Sequence, residues 1–161
     1  VADINRNIRA ALETHLSNIS GLPDIAYENV PYEPTTGQSF IRVAYMPVTR
    51  RPAVRGLNPQ QEYRGIFALN VYAPEGTGPA VCEDIVEKLL EGFEATTDIF
   101  YDNVNDLILT ESEGRLLLES GDPILIDSVT RVSIDYAERA IGLTDAPWYL
   151  IPVNIGWYIY N

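Results

Sequence analysis

His15, Cys82 and a scatter of carboxylates are the residues in this chain with the chemistry for turnover, and their spacing argues against it. The sequence holds one histidine and one cysteine. His15 lies in INRNIRAALETHLSN beside an apolar stripe, where a histidine packs more often than it catalyses. A Ser–His–Asp triad would depend on it, and no flanking signal supports one. Cys82 falls on the apolar face of a second helical segment and reads as a small core residue, not a reactive thiol. A single cysteine closes no internal disulfide, and with a single histidine there is no Cys/His zinc cluster. Asp98, Asp102 and Asp106 are four residues apart and would align on a helix. DNVND has the look of a calcium loop, but Val104 stands at its third position and no glycine holds the sixth. Glu111 and Glu113 are close enough to act as acid and base, yet they read as part of a turn beside Gly114. The P-loop, GxGxxG, GxSxG and HExxH patterns are all missing. The expectation is a chain that is not an enzyme and holds neither cofactor nor metal.

Contact chemistry is better represented. Ten of the eleven basic residues are arginine, whose planar fork favours specific bidentate pairing. Three of them, Arg50, Arg51 and Arg55, fall in PVTRRPAVRGLNPQQE (47–62), which reads as a long loop between strands; such loops are commonly functional or disordered. The chain also carries ten tyrosines and two tryptophans, side chains suited to interfaces because each joins an apolar body to a polar tip. Alternation along the last segment puts Trp157 on an apolar face and turns Tyr158 and Tyr160 the other way. Arg50, Arg51, Arg55, Tyr158 and Tyr160 are therefore the candidate contacts with other subunits or a partner. The competing readings are a solvated arginine loop and tyrosines that merely edge a sheet.

These side chains need a scaffold. Ile4, Ile8, Ala11, Leu12, Leu16 and Ile19 recur at helical spacing behind Asp3, and the helix ends at Ser20-Gly21 before Pro23. A short strand is expected around 25–30. FIRVAYM (40–46) and YRGIFALNVYA (63–73) read as strands, the second apolar on both sides and so an inner one. A second helix is expected over 79–93, opened by Pro79 and apolar along Cys82, Ile85, Val86, Leu89 and Phe93. Residues 94–122 read as an irregular acidic connection with short strands around 107–110 and 115–119. VTRVSIDYAER (129–139) alternates well. WYLIPVNIGWYIY (148–160) is the last strand, with Pro152 and Gly156 suggesting a kink, a bulge or an edge position. The expected fold is α+β: one domain over 1–161 with two main helices and an acidic irregular insertion around 94–130.

Composition and charge narrow the function. Of 161 residues, 46% are hydrophobic and 21% charged, an ordinary globular balance. No apolar run approaches the roughly 20 residues of a bilayer span, and the N-terminal segment lacks the pattern of a signal peptide. The net charge is −12 and is unevenly placed: residues 1–70 hold six acids and seven arginines, and residues 71–161 hold seventeen acids and four basic residues. A surface this acidic repels phosphate backbones, which excludes sequence-reading of a duplex. Solubility, passage of DNA without sticking, and contact with a basic partner all fit it.

Several phrases in order carry a resemblance: AALETHL; ENVPYEPTTGQ at a turn; YRGIFALNVYAPEGTGPA; and the terminal WYLIPV strand. The chain resembles the tail terminator (minor tail) proteins of long-tailed, non-contractile bacteriophages over about 1–93 and 148–160. The resemblance implies a sandwich-like subunit, a mixed, mainly antiparallel sheet packed against two main helices, that assembles as a ring of six on the last ring of tail-tube protein. It further implies that the ring halts tube polymerisation, offers a surface to the head-completion protein, and lets DNA pass through its lumen without specific binding. Free subunits are monomers or rings on this reading, and the place of action is the head-proximal end of the tail after assembly in the host cytoplasm. Another neck or head–tail completion protein is the nearest alternative. An acidic inhibitor that mimics DNA is a further one.

Overall fold

The computed structural model describes residues 4–101 and 130–161. Two helices, α1 (Ile4–Asn18) and α2 (Ala80–Gly92), lie with seven strands: β1 (Asp24–Ala26), β2 (Phe40–Pro52), β3 (Gln61–Pro74), β4 (Asp98–Tyr101), β5 (Thr130–Arg139), β6 (Leu143–Asp145) and β7 (Trp148–Tyr160). The strand order is β1-β2-β3-β7-β5-β4, with β6 also paired to β7. Only β1 and β2 run parallel; all other pairs are antiparallel. The α+β class, the mixed and mainly antiparallel sheet and the two helices are as the sequence leads one to expect.

Both helices cover the same face. Ile8, Ala11, Leu12 and Leu16 of α1 pack over β4 and β5, and Cys82, Val86 and Leu89 of α2 pack over β3, β7 and β5. Beneath them the strands contribute every second residue: Val43 and Tyr45; Phe67, Leu69 and Val71; Val132 and Ile134; Val153, Ile155, Trp157 and Ile159. Burying one such side chain is worth about 1.5–3 kcal/mol, and period-two alternation sends the whole set to the helix side. His15 serves this packing. Its Nε2 lies 2.6 Å from the carbonyl oxygen of Gly92, donating to it, and its ring meets Phe93 edge-on, which ties α1 to the end of α2.

Three expectations are corrected. Residues 47–62 are a loop only at 53–60: β2 continues to Pro52, β3 begins at Gln61, and the two strands pair up to that turn, with Arg50 opposite Tyr63 and Arg51 opposite Glu62. The prolines are tolerated because β1 reaches only as far as Arg42, so beyond it β2 is an edge among the described residues, and an edge strand has an amide direction that needs no partner. A bulge between Pro47 and Thr49 absorbs the misfit. Second, β7 is not an edge but lies between β3 and β5. The carbonyl of Pro152 accepts from the amide of Ala140, where β5 has ended and β6 has not begun, so the N–H that proline lacks faces a change of partner strand. The bulge falls on β5 instead: Ile134 faces Trp157 and Tyr136 faces Gly156, leaving Asp135 as the extra residue. A Cβ on Gly156 would overlap the Tyr136 ring, and one on Gly65 would overlap the Trp157 indole and the Met46 carbonyl. Third, residues 98–101 of the presumed irregular connection form β4. The Asp3 cap and the strands expected around 107–110 and 115–119 lie outside the described residues.

Candidate functional site

Alternation that buries Trp157 and Ile159 turns their neighbours Tyr158 and Tyr160 onto the face that carries no helix among the described residues, and the strand register decides what they meet. Glu62 stands opposite Arg51 on one side and Tyr160 on the other, and Arg64 stands opposite Tyr158. The result is a charged row around one carboxylate. Glu62 is 4% exposed. Its Oε2 accepts from Arg51 Nε at 2.5 Å, and its Oε1 accepts from Arg64 Nε at 2.8 Å and from the Tyr160 hydroxyl at 3.3 Å. These hydrogen bonds, led by the one from Arg51, hold the Glu62 carboxyl below its ordinary value. Arg64 also reaches Asp135 at 3.4 Å and lies over the Tyr158 ring at 5.5 Å, while Tyr158 and Tyr160 meet edge-on at 5.7 Å. Alternation along β5 puts Asp135 on this face with Arg131 and Ser133, and the bulge turns Tyr136 onto it as well, opposite Gly156. Farther along the same face, Asp98 accepts from Arg131 at 2.5 Å and from Ser133 at 2.6 Å, beside a Phe100 that is 66% exposed.

The five residues chosen from sequence therefore divide. Arg51, Tyr158 and Tyr160 gather around Glu62. Arg50 alternates to the helix side, with its guanidinium 5.3 Å from the Tyr63 ring centroid. Arg55 lies in the exposed tip between β2 and β3. Together β2 beyond Pro47, the tip and the start of β3 form an arm that carries three arginines before its first acid, Glu62. The arm is also apolar: Val48, Val54 and Leu57 are 62%, 63% and 101% exposed. Clefts open on both sides of its base. One of about 680 Å³ is lined by Ile4, Asn5, Val48, Arg50 and Tyr63; one of about 370 Å³ is lined by Arg51, Arg64, Ile66, Tyr136 and Trp157.

Glu62, Arg64, Asp135 and Phe100 were missed in the sequence. The signal for the first two is present, since residues two apart on a strand share a face, but the prolines make the stretch before Tyr63 read as a loop. Asp135 shares a face with Arg131 and Ser133 by the same alternation, and its contact with Arg64 follows from strand register, which nothing local announces.

Catalytic chemistry finds little footing here. The Cys82 thiol is buried and pushed up to about 11, first by burial and then by the Glu83 charge, so thiolate is scarce at neutral pH. Among the described residues no group of three or more His, Cys, Asp or Glu is placed to hold a metal ion. Exposed apolar side chains beside guanidinium groups, with aromatics near by, are the makings of a protein–protein contact.

The described residues form an α+β domain of two helices and seven strands, with charged and aromatic side chains on its open face. The phage tail terminator protein family matches residues 7–157, and the chain belongs to it. It is thus a structural protein of the bacteriophage virion that takes part in tail assembly, and the family implies contact with tail-tube and head components. No match is found among curated proteins. One similar solved structure is 20% identical with a TM-score of 0.58, the match covering 97% of this chain and 94% of that one; at this identity the likeness concerns the fold. No helix among the described residues is long and apolar enough to cross a membrane.

Proposed function

We propose that this chain caps the phage tail tube as a ring of six copies, stops tube polymerisation and presents the docking surface for the head. The observation that carries this reading is membership of the tail terminator family across nearly the whole chain. The surface agrees with it. A ring needs two different patches on every subunit, and a chain with its cations in the first half and its acids in the second is asymmetric in the required way. Arg50, Arg51, Arg55, Tyr158 and Tyr160 are the proposed contacts to a neighbouring subunit or to the tube. A net charge of −12 lets DNA pass the lumen without holding it. The reading places the protein at the head-proximal end of the tail, after assembly in the host cytoplasm, with no turnover.

Electron microscopy of lysates in which this gene is stopped early tests the proposal. Overlong, uncapped tubes beside DNA-filled heads that lack tails are expected. Tails of normal length that fail to join heads would move the protein to a neck-completion role, and intact virions would overturn the structural role altogether.

A further inference from the structure

The end of the sheet opposite the arm is its chemical complement. The phrases ENVPYEPTTGQ, VYAPEGTGP and WYLIPV, far apart in sequence, converge there. Phe40, two residues after the first, stacks on Tyr72 at 4.6 Å and meets Trp148 edge-on at 5.1 Å, and Pro74 stands opposite Trp148 in the ladder. Between them opens a groove of about 430 Å³ lined by Gly37, Pro74, Glu75, Gly76, Pro147 and Trp148. Gly37 and Gly76 have φ of 85° and 88°, and nothing lies within 4 Å of where a Cβ would project from either. The groove floor is therefore open, with a tryptophan on one wall. Its surroundings carry Glu33, Glu75 and Asp145, none of which pairs with a cation among the described residues, and no basic residue occurs in 27–39, 74–79 or 140–149.

The arm has the opposite character. Arg50 and Arg55 have no carboxylate partner among the described residues, and Leu57 is fully exposed at the tip. The two ends cannot meet within one molecule. The 14 residues of β3 separate them by roughly 45 Å at about 3.3 Å per residue. An apolar, cationic tip and an apolar, acidic, aromatic groove at opposite ends of a stiff sheet make a heterologous pair of surfaces, the kind that joins copies head to tail.

We infer that the β2–β3 arm of one copy seats in the Gly37–Gly76–Trp148 groove of a second copy, with Leu57 entering the groove and Arg50 and Arg55 facing Glu33, Glu75 and Asp145. This rests on the ring reading and names the contact that closes the ring. Trp148 offers a face for a guanidinium as well as for Leu57.

Cross-linking in assembled tails tests it. Leu57→Cys and Glu75→Cys, both on exposed positions, are introduced together, and purified tails are oxidised with copper phenanthroline. The native Cys82 is buried with a raised pKa and stays out of the reaction. A covalent ladder rising to six copies is expected in the double variant. It should be absent from either single variant and reduced at least tenfold when Arg50→Glu and Arg55→Glu are added. A dimer in the Leu57→Cys single variant would overturn the inference, because it would mean tip meeting tip. Monomer alone in tails that are capped and of normal length would also overturn it while leaving the capping role intact. Failure of capping itself is read separately, from tube length with the unsubstituted chain.

Discussion

The last strand shows two designs in one stretch of chain. On the helix side of β7, Val153, Ile155, Trp157 and Ile159 are at most 5% exposed and belong to the apolar core. On the open side, Tyr158 and Tyr160 sit among Arg64 and Glu62, and Tyr160 is 49% exposed. The covered face is a packing problem, solved by volume and alternation. The open face is a pairing problem, in which Glu62, Arg64 and Asp98 each have a named partner, and the arm beyond it leaves Arg50 and Arg55 without carboxylates among the described residues. Fold and contact have thus been separated onto two sides of the same strands, so substitutions should fall into two classes that differ in what they damage.

The largest stability effect is expected at Trp157. Its indole is 1% exposed and stacks on Tyr45 at 5.5 Å, and Trp157→Ala should cost about 3–5 kcal/mol in urea unfolding. Trp157→Phe should cost less than half as much, because the indole Nε1 has no hydrogen-bond partner to lose. Equal losses would mean that the ring does more than fill space. Next comes Gly65→Ala, where the added Cβ overlaps the indole and the Met46 carbonyl; a loss of about 1–3 kcal/mol is expected from overpacking. An unchanged melting point would show that the two strands can part there.

Acid should then separate the faces further. The carboxyls of Glu62, Asp98 and Glu83 are all held below their ordinary values, by Arg51 with Arg64, Arg131 with Ser133, and Arg139 respectively. Each binds its proton more weakly when folded than when unfolded, so its contribution is full above the unfolded value, 4.5 for Glu62. That contribution is lost as pH falls through the lowered folded value. Glu13, raised chiefly by burial, works in the other direction. Stability should drop below about pH 4.5, and Glu62→Gln should flatten part of that drop in a pH series of thermal melts. An unaltered profile in the variant would remove Glu62 from the account. The smallest effect on stability belongs to the arm. Arg50→Glu with Arg55→Glu should change unfolding by less than about 0.5 kcal/mol, as exposed substitutions do, yet abolish capping. A variant that still caps tubes would break the division between the two faces.

What the sequence showed follows the same division. The covered face repeats, so the periods of α1, α2, β3, β5 and β7 are visible residue by residue, and the faces read from β7 are the observed ones. Edges and pairings do not repeat. The sequence pattern ends β2 at Met46 because Pro47 and Pro52 normally end strands, and it continues because no strand among the described residues lies beside it past β1. β4 is four residues long with its Phe100 turned outward, too short for a period to show. Tyr158 and Tyr160 follow from alternation alone, whereas their pairing with Glu62, Arg64 and Asp135 depends on strand register. The groove at the far end was least visible, since its walls come from three separate segments.

The central claim is that this chain ends tube growth. Purified tube protein polymerising in the presence of the chain, with tube lengths measured by electron microscopy, puts that claim to the test. The account predicts that a few copies per tube suffice to arrest elongation, giving short tubes with a ring at one end, and that the Arg50→Glu, Arg55→Glu variant loses this arrest. Tubes that lengthen equally with and without saturating chain would contradict it.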